Sequence, residues 1–331
     1  MNVGIAVTSG VQGLRRVDTR LLRDLGFSGV FVVCFEDEVR WHVEDIAAFV
    51  RRARGDGLEP YAVPYGYGRF LDPDASVESL YITTHPDTCQ VDTRGRRVPR
   101  ACPNHPRFLE WFSSSMRTLA WLLEVRGFLW DEPSFHYARG QWACRCHYCA
   151  RLFSAGYGHD MPRELTDEVL EFRRNSVLMF ILAAAAAIQS VDRKLGSLVM
   201  PPPSPLGQAG GIGTDGLQEL VSCSGVDGLF SLVPWQEVGW DMEHAVREAV
   251  ERQGKLAHAH EKASALWLTA SPAREDRVVD TVVYATRIGA DALVLSDYHS
   301  LVAAPGFAAV REPLQAALHA AHAPRPRSAI R

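Results

Sequence analysis

The sequence has no apolar run long enough to cross a bilayer. Its longest such stretch, Val177 to Ile188, falls well short of the roughly 20 residues that a spanning helix needs. Clusters of one charge are missing too. The 35 lysines and arginines are spread along the chain against 39 acids, for a net charge of −4. That leaves no electrostatic footprint for nucleic acid and no basic patch for an anionic membrane surface. The opening residues, MNVGIAVTSG, lack the basic-then-apolar pattern of a secretory signal. A cytoplasmic protein is the expectation, in which seven cysteines read as thiols or metal ligands rather than disulfides. There is no internal repeat, no heptad pattern and no low-complexity block beyond the Ala183–Ala187 run, a strong helix former.

What the 331 residues do contain is a large apolar fraction, 47%, with 22% charged, the balance of a globular protein with a sizeable core. Short β-branched or aromatic runs alternate with longer amphipathic segments, the pattern of a parallel sheet with crossover helices. Eight strands are expected: Val3–Thr8, Gly29–Phe35, Glu59–Pro64, Gly127–Trp130, Ser197–Met200, Gly228–Val233, Ala265–Thr269 and Ala292–Ser296. Helices are expected between them near 17–26, 40–56, 105–125, 165–194, 214–223, 241–263, 274–289 and 307–322. Gly26 and Gly57 stand where helix C-caps belong, and Thr166 with Glu168 and Glu171 opens the fourth long helix with acids in its first turn. An open dinucleotide-binding sheet would show a glycine-rich phosphate loop after its first strand, and TSGVQG is a poor version of one. The fold class is therefore α/β, a closed (β/α)8 TIM barrel in one domain over 1–324, followed by a frayed tail at 325–331. Two insertions break its rhythm, 65–104 after strand three and 133–164 after strand four. Both fall on the face where barrel active sites are built.

The second insertion holds WACRCHYCARLF, three thiols as C-x-C-x2-C at Cys144, Cys146 and Cys149. A tetrahedral Zn²⁺ site needs soft anionic donors converging at about 2.3 Å, and such short spacing lets one tight turn supply three. For the fourth donor, Cys102 in RACPNHP on the neighbouring inserted loop is the leading candidate, with His105 and His147 in reserve. Four thiolates make a closed coordination sphere, which suits structure rather than catalysis. Cys34 and Cys223 lie in or beside apolar segments and read as small core residues. Cys89, in a polar loop, carries no assignment.

GFLWDEPSFHY is a buried strand that ends in Asp131 and Glu132 and is stopped by Pro133. Both acids are expected at the barrel mouth. Neighbours on a strand point opposite ways, so one would face the substrate and the other brace the loop. Trp130 and Phe135 are expected to raise the pKa of a nearby carboxyl by desolvation. Other strand tips add Glu36, Tyr65, Tyr67, Trp235, Asp297, Tyr298 and His299 as candidates for the same cleft. Rings beside carboxylates suit a saccharide, whose C–H faces pack on aromatics while its hydroxyls take charged hydrogen bonds. His258 and His260 read as a solvated helix face.

A cysteine after strand three, an acid-ended strand four, then C-x-C-x2-C and an aromatic residue resemble the zinc-bearing β-galactosidases of glycoside hydrolase family 42, in clan A. The sequence is similar as well to a related group of glycosidase-like barrels, through WDEPSF, CRCHYCARLFSAGYGHDMP and LTDEVLEFR. This likeness is specific from about residue 99 to 174 and architectural elsewhere. It implies Glu132 in the place of the general acid/base and Cys102, Cys144, Cys146 and Cys149 as ligands of a structural zinc. Two departures matter. Asp131 stands where the clan has asparagine, and strand seven, in ALWLTASPARED, has no glutamate at its tip to act as nucleophile; Glu275 comes several residues later.

The function expected is that of a glycosidase-type hydrolase acting on a small saccharide or glycoside, with Glu132, Asp131 and Asp297 as the catalytic carboxylates. Glu36, Tyr65, Tyr67, Trp235, Tyr298 and His299 are expected to bind the substrate, and zinc is expected to be structural. The alternatives are a non-catalytic saccharide-binding barrel that has lost its strand-seven nucleophile and a zinc-dependent transferase. No nucleic-acid or membrane partner is expected; a homo-oligomer remains open.

Overall fold

The computed structural model describes residues 1–8, 10–71, 78–138, 140–202, 214–233, 242–269 and 275–322. Eight parallel strands close into a barrel: β1 (Asn2–Val7), β2 (Gly29–Phe35), β3 (Glu59–Tyr65), β4 (Gly127–Asp131), β5 (Gly196–Met200), β6 (Gly228–Val233), β7 (Ala263–Thr269) and β8 (Ala292–Ser296). Each pairs with its sequence neighbours, and β8 closes on β1 through Asn2–Ala292 to Ile5–Leu295. The expected strands are all present, extended by one or two residues at some ends.

Eight helices form the outer layer: α1 (Thr19–Leu25), α2 (Glu36–Gly55), α3 (Pro106–Leu122), α4 (Asp167–Gln189), α5 (Thr214–Ser222), α6 (Met242–Ala249), α7 (Glu275–Ile288) and α8 (Phe307–His322). After α6 the chain passes through a π-turn at Val250–Gly254 into Lys255–Ala259, so the single helix expected at 241–263 is interrupted. His258 is exposed on that segment and meets Asp291. None of the described helices is long and apolar enough to cross a membrane.

Local signals explain the boundaries. The Asp18 carboxylate accepts from the Leu21 amide at 3.0 Å and starts α1. Gly26, at φ 105°, ends it with its amide on the carbonyls of Leu22 and Arg23. Thr166 caps α4 through the Val169 amide, with Asp167 and Glu168 in the first turn. At the start of β4, a Cβ on Gly127 would lie 2.5 Å from the Gly196 carbonyl oxygen. Only glycine permits that approach, and it sets the β4–β5 register that ends with Asp131 beside Met200.

Strand alternation divides the core in two. Ala6, Phe31, Val33, Val63, Leu129, Met200, Phe230 and Trp267 fill the barrel. The intervening residues, such as Val30, Val32, Cys34, Phe128 and Trp130, pack outward under the helices. On β4 this parity puts Asp131 on the same inner face as Leu129.

Candidate active site and thiolate centre

The two insertions are stitched to each other before any metal is considered. In the first, Cys89–Val91 pairs with Arg97–Ala101 as a hairpin; in the second, Tyr137–Ala138 pairs with Gln141–Trp142. A further antiparallel bridge joins Asp92 to Ala143 across the insertions. The Arg145 amide donates to the Val91 carbonyl at 2.8 Å, and Thr93 donates to the Gln141 side chain at 2.6 Å. Fully buried Gln90 donates to the Ala101 carbonyl and accepts from the His136 amide, both at 2.9 Å. A polar side chain buried with both ends satisfied stiffens the junction.

At this junction four buried sulfurs converge. Cys102, Cys144, Cys146 and Cys149 have all their Sγ atoms within 4.8 Å of one another, with Cys102–Cys149 at 3.4 Å and Cys102–Cys146 at 3.6 Å. A tetrahedral ion bound at about 2.3 Å would set its sulfurs ~3.8 Å apart, so the spacing and the soft donor set fit a tetrathiolate metal. Cys146 is the N-cap of the helix His147–Tyr157 and Cys149 lies in its first turn. Cys144 Sγ accepts from the amides of Val91 and Cys146, each at 3.4 Å, and Cys149 Sγ from Asn104 Nδ2 at 3.3 Å. The cluster shares its protons unequally. Hydrogen bonds from the three other sulfurs hold Cys146 far below the ordinary thiol range, while burial pushes Cys102 well above it. His105 and His147 stay outside the cluster, each packed against Tyr148, at 4.5 and 3.9 Å. Cys89 is buried in the adjoining hairpin, pairing with Ala101, and is not among the four.

Glu132 follows β4 directly. Its amide donates to the Met200 carbonyl at 2.8 Å, and its backbone then turns into the left-handed region at φ 42°. Three described residues other than glycine have positive φ, and Glu132 is one of them. A left-handed glutamate costs on the order of 1 kcal/mol, and such positions cluster at functional sites. The side chain is half-buried; Asp131, beneath it, is 7% exposed. The loop then continues through Ser134, whose amide meets the Phe70 carbonyl, to Phe135, packed on Phe70 at 6.1 Å. Trp130 is turned to the helix layer, with its indole N–H on Ser197 at 2.8 Å and its ring on Phe128 and Phe112. The expected desolvation of the acid pair by Trp130 is therefore not what strand parity delivers.

The remaining candidates separate. Tyr65 lies on the inner face at the end of β3, half-buried against Phe35 at 5.2 Å. Continuing the register of Tyr61 with Gly127 sets it level with Asp131. Glu36 accepts from the Ser79 hydroxyl at 2.6 Å, the Tyr81 amide at 2.5 Å and the Gly68 amide at 3.2 Å. It ties the β3 loop to α2, and burial outweighs these donors enough to raise its pKa. Tyr67, expected in the cleft, is 1% exposed and packs between Trp111 and Phe112; burial raises its phenol well above the usual range. Tyr298 is likewise turned away, buried with its hydroxyl accepting from the Asp18 amide at 3.3 Å. His299 sits half-buried against its ring. Asp297 caps the short helix Tyr298–Leu301 by accepting from the Ser300 amide at 2.7 Å, and its other oxygen takes the Thr8 hydroxyl. Trp235 lies outside the described residues.

One feature escaped sequence reasoning. A cleft of about 400 Å³ opens between the loop after β1 and the first turns of α2, lined by Gln12, Arg15, Asp37, Glu38, Trp41 and His42. Trp41, 67% exposed with Arg40 stacked 4.9 Å from its ring centre, gives this cleft an accessible indole. A tryptophan in so charged a helix start, EDEVRWHVED, was the available signal.

No protein-family model matches the sequence, and no curated protein sequence is significantly similar to it. Solved structures are informative. The catalytic domain of a β-amylase from Paenibacillus polymyxa superposes with a TM-score of 0.65 at 12% identity, covering 95% of this chain and 98% of that one. A β-galactosidase from Rahnella sp. R3 gives 0.66 at 10% identity, over 97% of this chain and 56% of that one. A β-galactosidase from Halorubrum lacusprofundi gives 0.64 at 13%, over 90% and 52%. The chain thus spans about half the length of these β-galactosidases. Likeness at this identity concerns the fold alone, a closed (β/α)8 barrel.

Proposed function

We propose that this protein is a carbohydrate-active enzyme that cleaves a small saccharide or glycoside, with Glu132 as its general acid. The observation that carries the reading is Glu132 itself, half-buried and forced into a left-handed turn at the C-terminal end of β4. It stands beside a loop that the cysteine centre and the Asp92–Ala143 bridge clamp in place. The resident metal in this reading is a structural zinc held by Cys102, Cys144, Cys146 and Cys149. It supplies rigidity and takes no part in bond cleavage, since four thiolates leave no open position.

Glu132 would protonate the departing glycosidic oxygen. Asp131, beneath it on the inner face, would receive the hydrogen bond of a sugar hydroxyl, with Tyr65 as the adjoining ring. Asp297 ends β8, which is opposite β4 in the closed strand order. In this reading Asp297 would act as general base on the attacking water while Glu132 protonates the leaving group, and such a pair would invert the anomeric carbon. The cleft beside Trp41 would take a sugar unit further from the scissile bond.

The test is hydrolysis of a panel of nitrophenyl glycosides by the wild type and Glu132→Gln. Loss of the general acid should lower kcat by about 10²- to 10⁴-fold while zinc content and melting midpoint stay unchanged, and NMR of fresh product should show the inverted anomer. Equal rates in the two proteins would remove Glu132 from the mechanism. A second reading, a saccharide-binding barrel without turnover, draws on Glu36 and Asp297, both of which are engaged in hydrogen bonds that hold loops. Calorimetric saccharide binding by a wild type that hydrolyses none of the panel would favour it.

A further inference from the structure

Inside α4, Arg173 is 1% exposed, one of the largest fully buried side chains of the protein. A guanidinium is always charged and is costly to bury unless an anion or several acceptors compensate it. One of its nitrogens donates to the carbonyl of Ala143, the residue just before Cys144. Its face lies 5.1 Å from the Phe135 ring centre and 5.7 Å from that of Trp142. Burial pushes its pKa down to about 9, and the nearby sulfurs of Cys144 and Cys149, together with Tyr137, act the other way.

The same helix supports the cluster one turn later. Ser176 accepts from Asn104 Nδ2 at 2.8 Å, and that amide also donates to Cys149 Sγ. Four thiolates around a divalent ion carry a net charge of −2. Three N–H donors, from Val91, Cys146 and Asn104, relieve part of this, and a full positive charge relieves more.

We propose that Arg173 is the counter-charge of the tetrathiolate metal centre and, through Phe135, the link from that centre to the loop of Glu132. This inference rests on the zinc reading above. With metal bound, the guanidinium faces a dianion. With the metal gone and the thiols protonated, that attraction is lost. Arg173 therefore resists metal loss, and it does so by charge rather than by volume. The contact with Phe135, three residues past Glu132, makes the general acid's loop feel the state of the cluster.

The experiment measures zinc in the purified full-length protein by elemental analysis and its transfer to a chromogenic chelator over time, for the wild type, Arg173→Met and Arg173→Lys. Removing a residue that supports metal ligands typically costs 10- to 100-fold in affinity. Arg173→Met should therefore release zinc at least tenfold faster than the wild type, and Arg173→Lys, which keeps the charge, should fall much closer to it. The cobalt-substituted proteins should show the thiolate charge-transfer band shifted in Arg173→Met and restored in Arg173→Lys. Wild-type release rates in Arg173→Met, or equal acceleration in the Met and Lys variants, would overturn the counter-charge role. If Arg173→Met does not fold, Arg173→Gln against Arg173→Lys carries the same contrast, and equal release from that pair overturns it as well. A wild type that holds no zinc would instead sink the metal reading, an outcome distinct from both.

Discussion

The two sides of the barrel mouth are built on opposite plans. On the β3–β4 side, two insertions share a strand bridge, a buried glutamine and four sulfurs, which lock them to each other. On the β8–β1–β2 side, carboxylates do the same work singly. Glu36 gathers Gly68, Ser79 and Tyr81, while Asp297 gathers Thr8 and Ser300, and an open cleft is left beside Trp41. In the proposed function an acid at a strand tip has two uses, and the neighbouring loop's other means of support decide between them. Where sulfur and strand pairing hold the loop, as around Glu132, the proposed function gives the carboxyl to catalysis. Where they are missing, the carboxyl becomes the fastener.

The comparison can be broken most forcefully at the sulfurs. Cys146→Ser should lose about 3–5 kcal/mol in denaturant unfolding, the usual loss when a buried charged group loses its partner. Hydrogen exchange should accelerate across 87–104 and 134–164 while the β8–β1 wall stays protected; uniform acceleration around the barrel would show that the two sides are not independent. Next in size, Glu36→Ala should cost about 2–3 kcal/mol, as expected for hydrogen bonds to a charged acceptor. It should expose the amides of Gly68 and Tyr81 to exchange with no change in zinc content. Loss of zinc in that variant would mean that the fastener serves both sides.

The smallest effect near neutral pH belongs to Cys34, which lies under the open side with its thiol pushed up to about 12 by burial and by nearby Glu38. Its folded-state value exceeds its unfolded one. Its contribution is therefore fully present below the ordinary thiol pKa and is lost as pH rises toward 12. Between pH 9 and 10 the wild type should lose about 1 kcal/mol more than Cys34→Val. Parallel stability curves for the two proteins in alkali would show that burial at this position is incomplete.

Much of this architecture was legible in the sequence because it depends on local periodicity. β-Branched runs and capping residues such as Thr166 and Gly26 marked the barrel elements, and thiol density with loop adjacency picked out Cys102 together with the C-x-C-x2-C set. What escaped depends on partners distant along the chain. Glu36 finds its donors 32 to 45 residues away, and Asp297 meets Thr8 across 289. No spacing rule reveals that such carboxylates are already engaged. Tyr67 follows a strand tip but packs under the insertion rather than into the cleft, because α3 brings Trp111 and Phe112 over it. Trp130 was readable: on β4 it has the parity opposite to Leu129 and Asp131, which sends it outward.

The left-handed turn at Glu132 sets evolutionary and engineering pressures against each other. Glycine adopts that conformation freely, whereas a glutamate there gives up on the order of 1 kcal/mol. Variants sorted for heat survival alone would accumulate replacements at this codon and discard the carboxylate without any warning from folding assays. If Glu132 is the general acid proposed above, any thermostabilised descendant that keeps its activity needs position 132 held fixed.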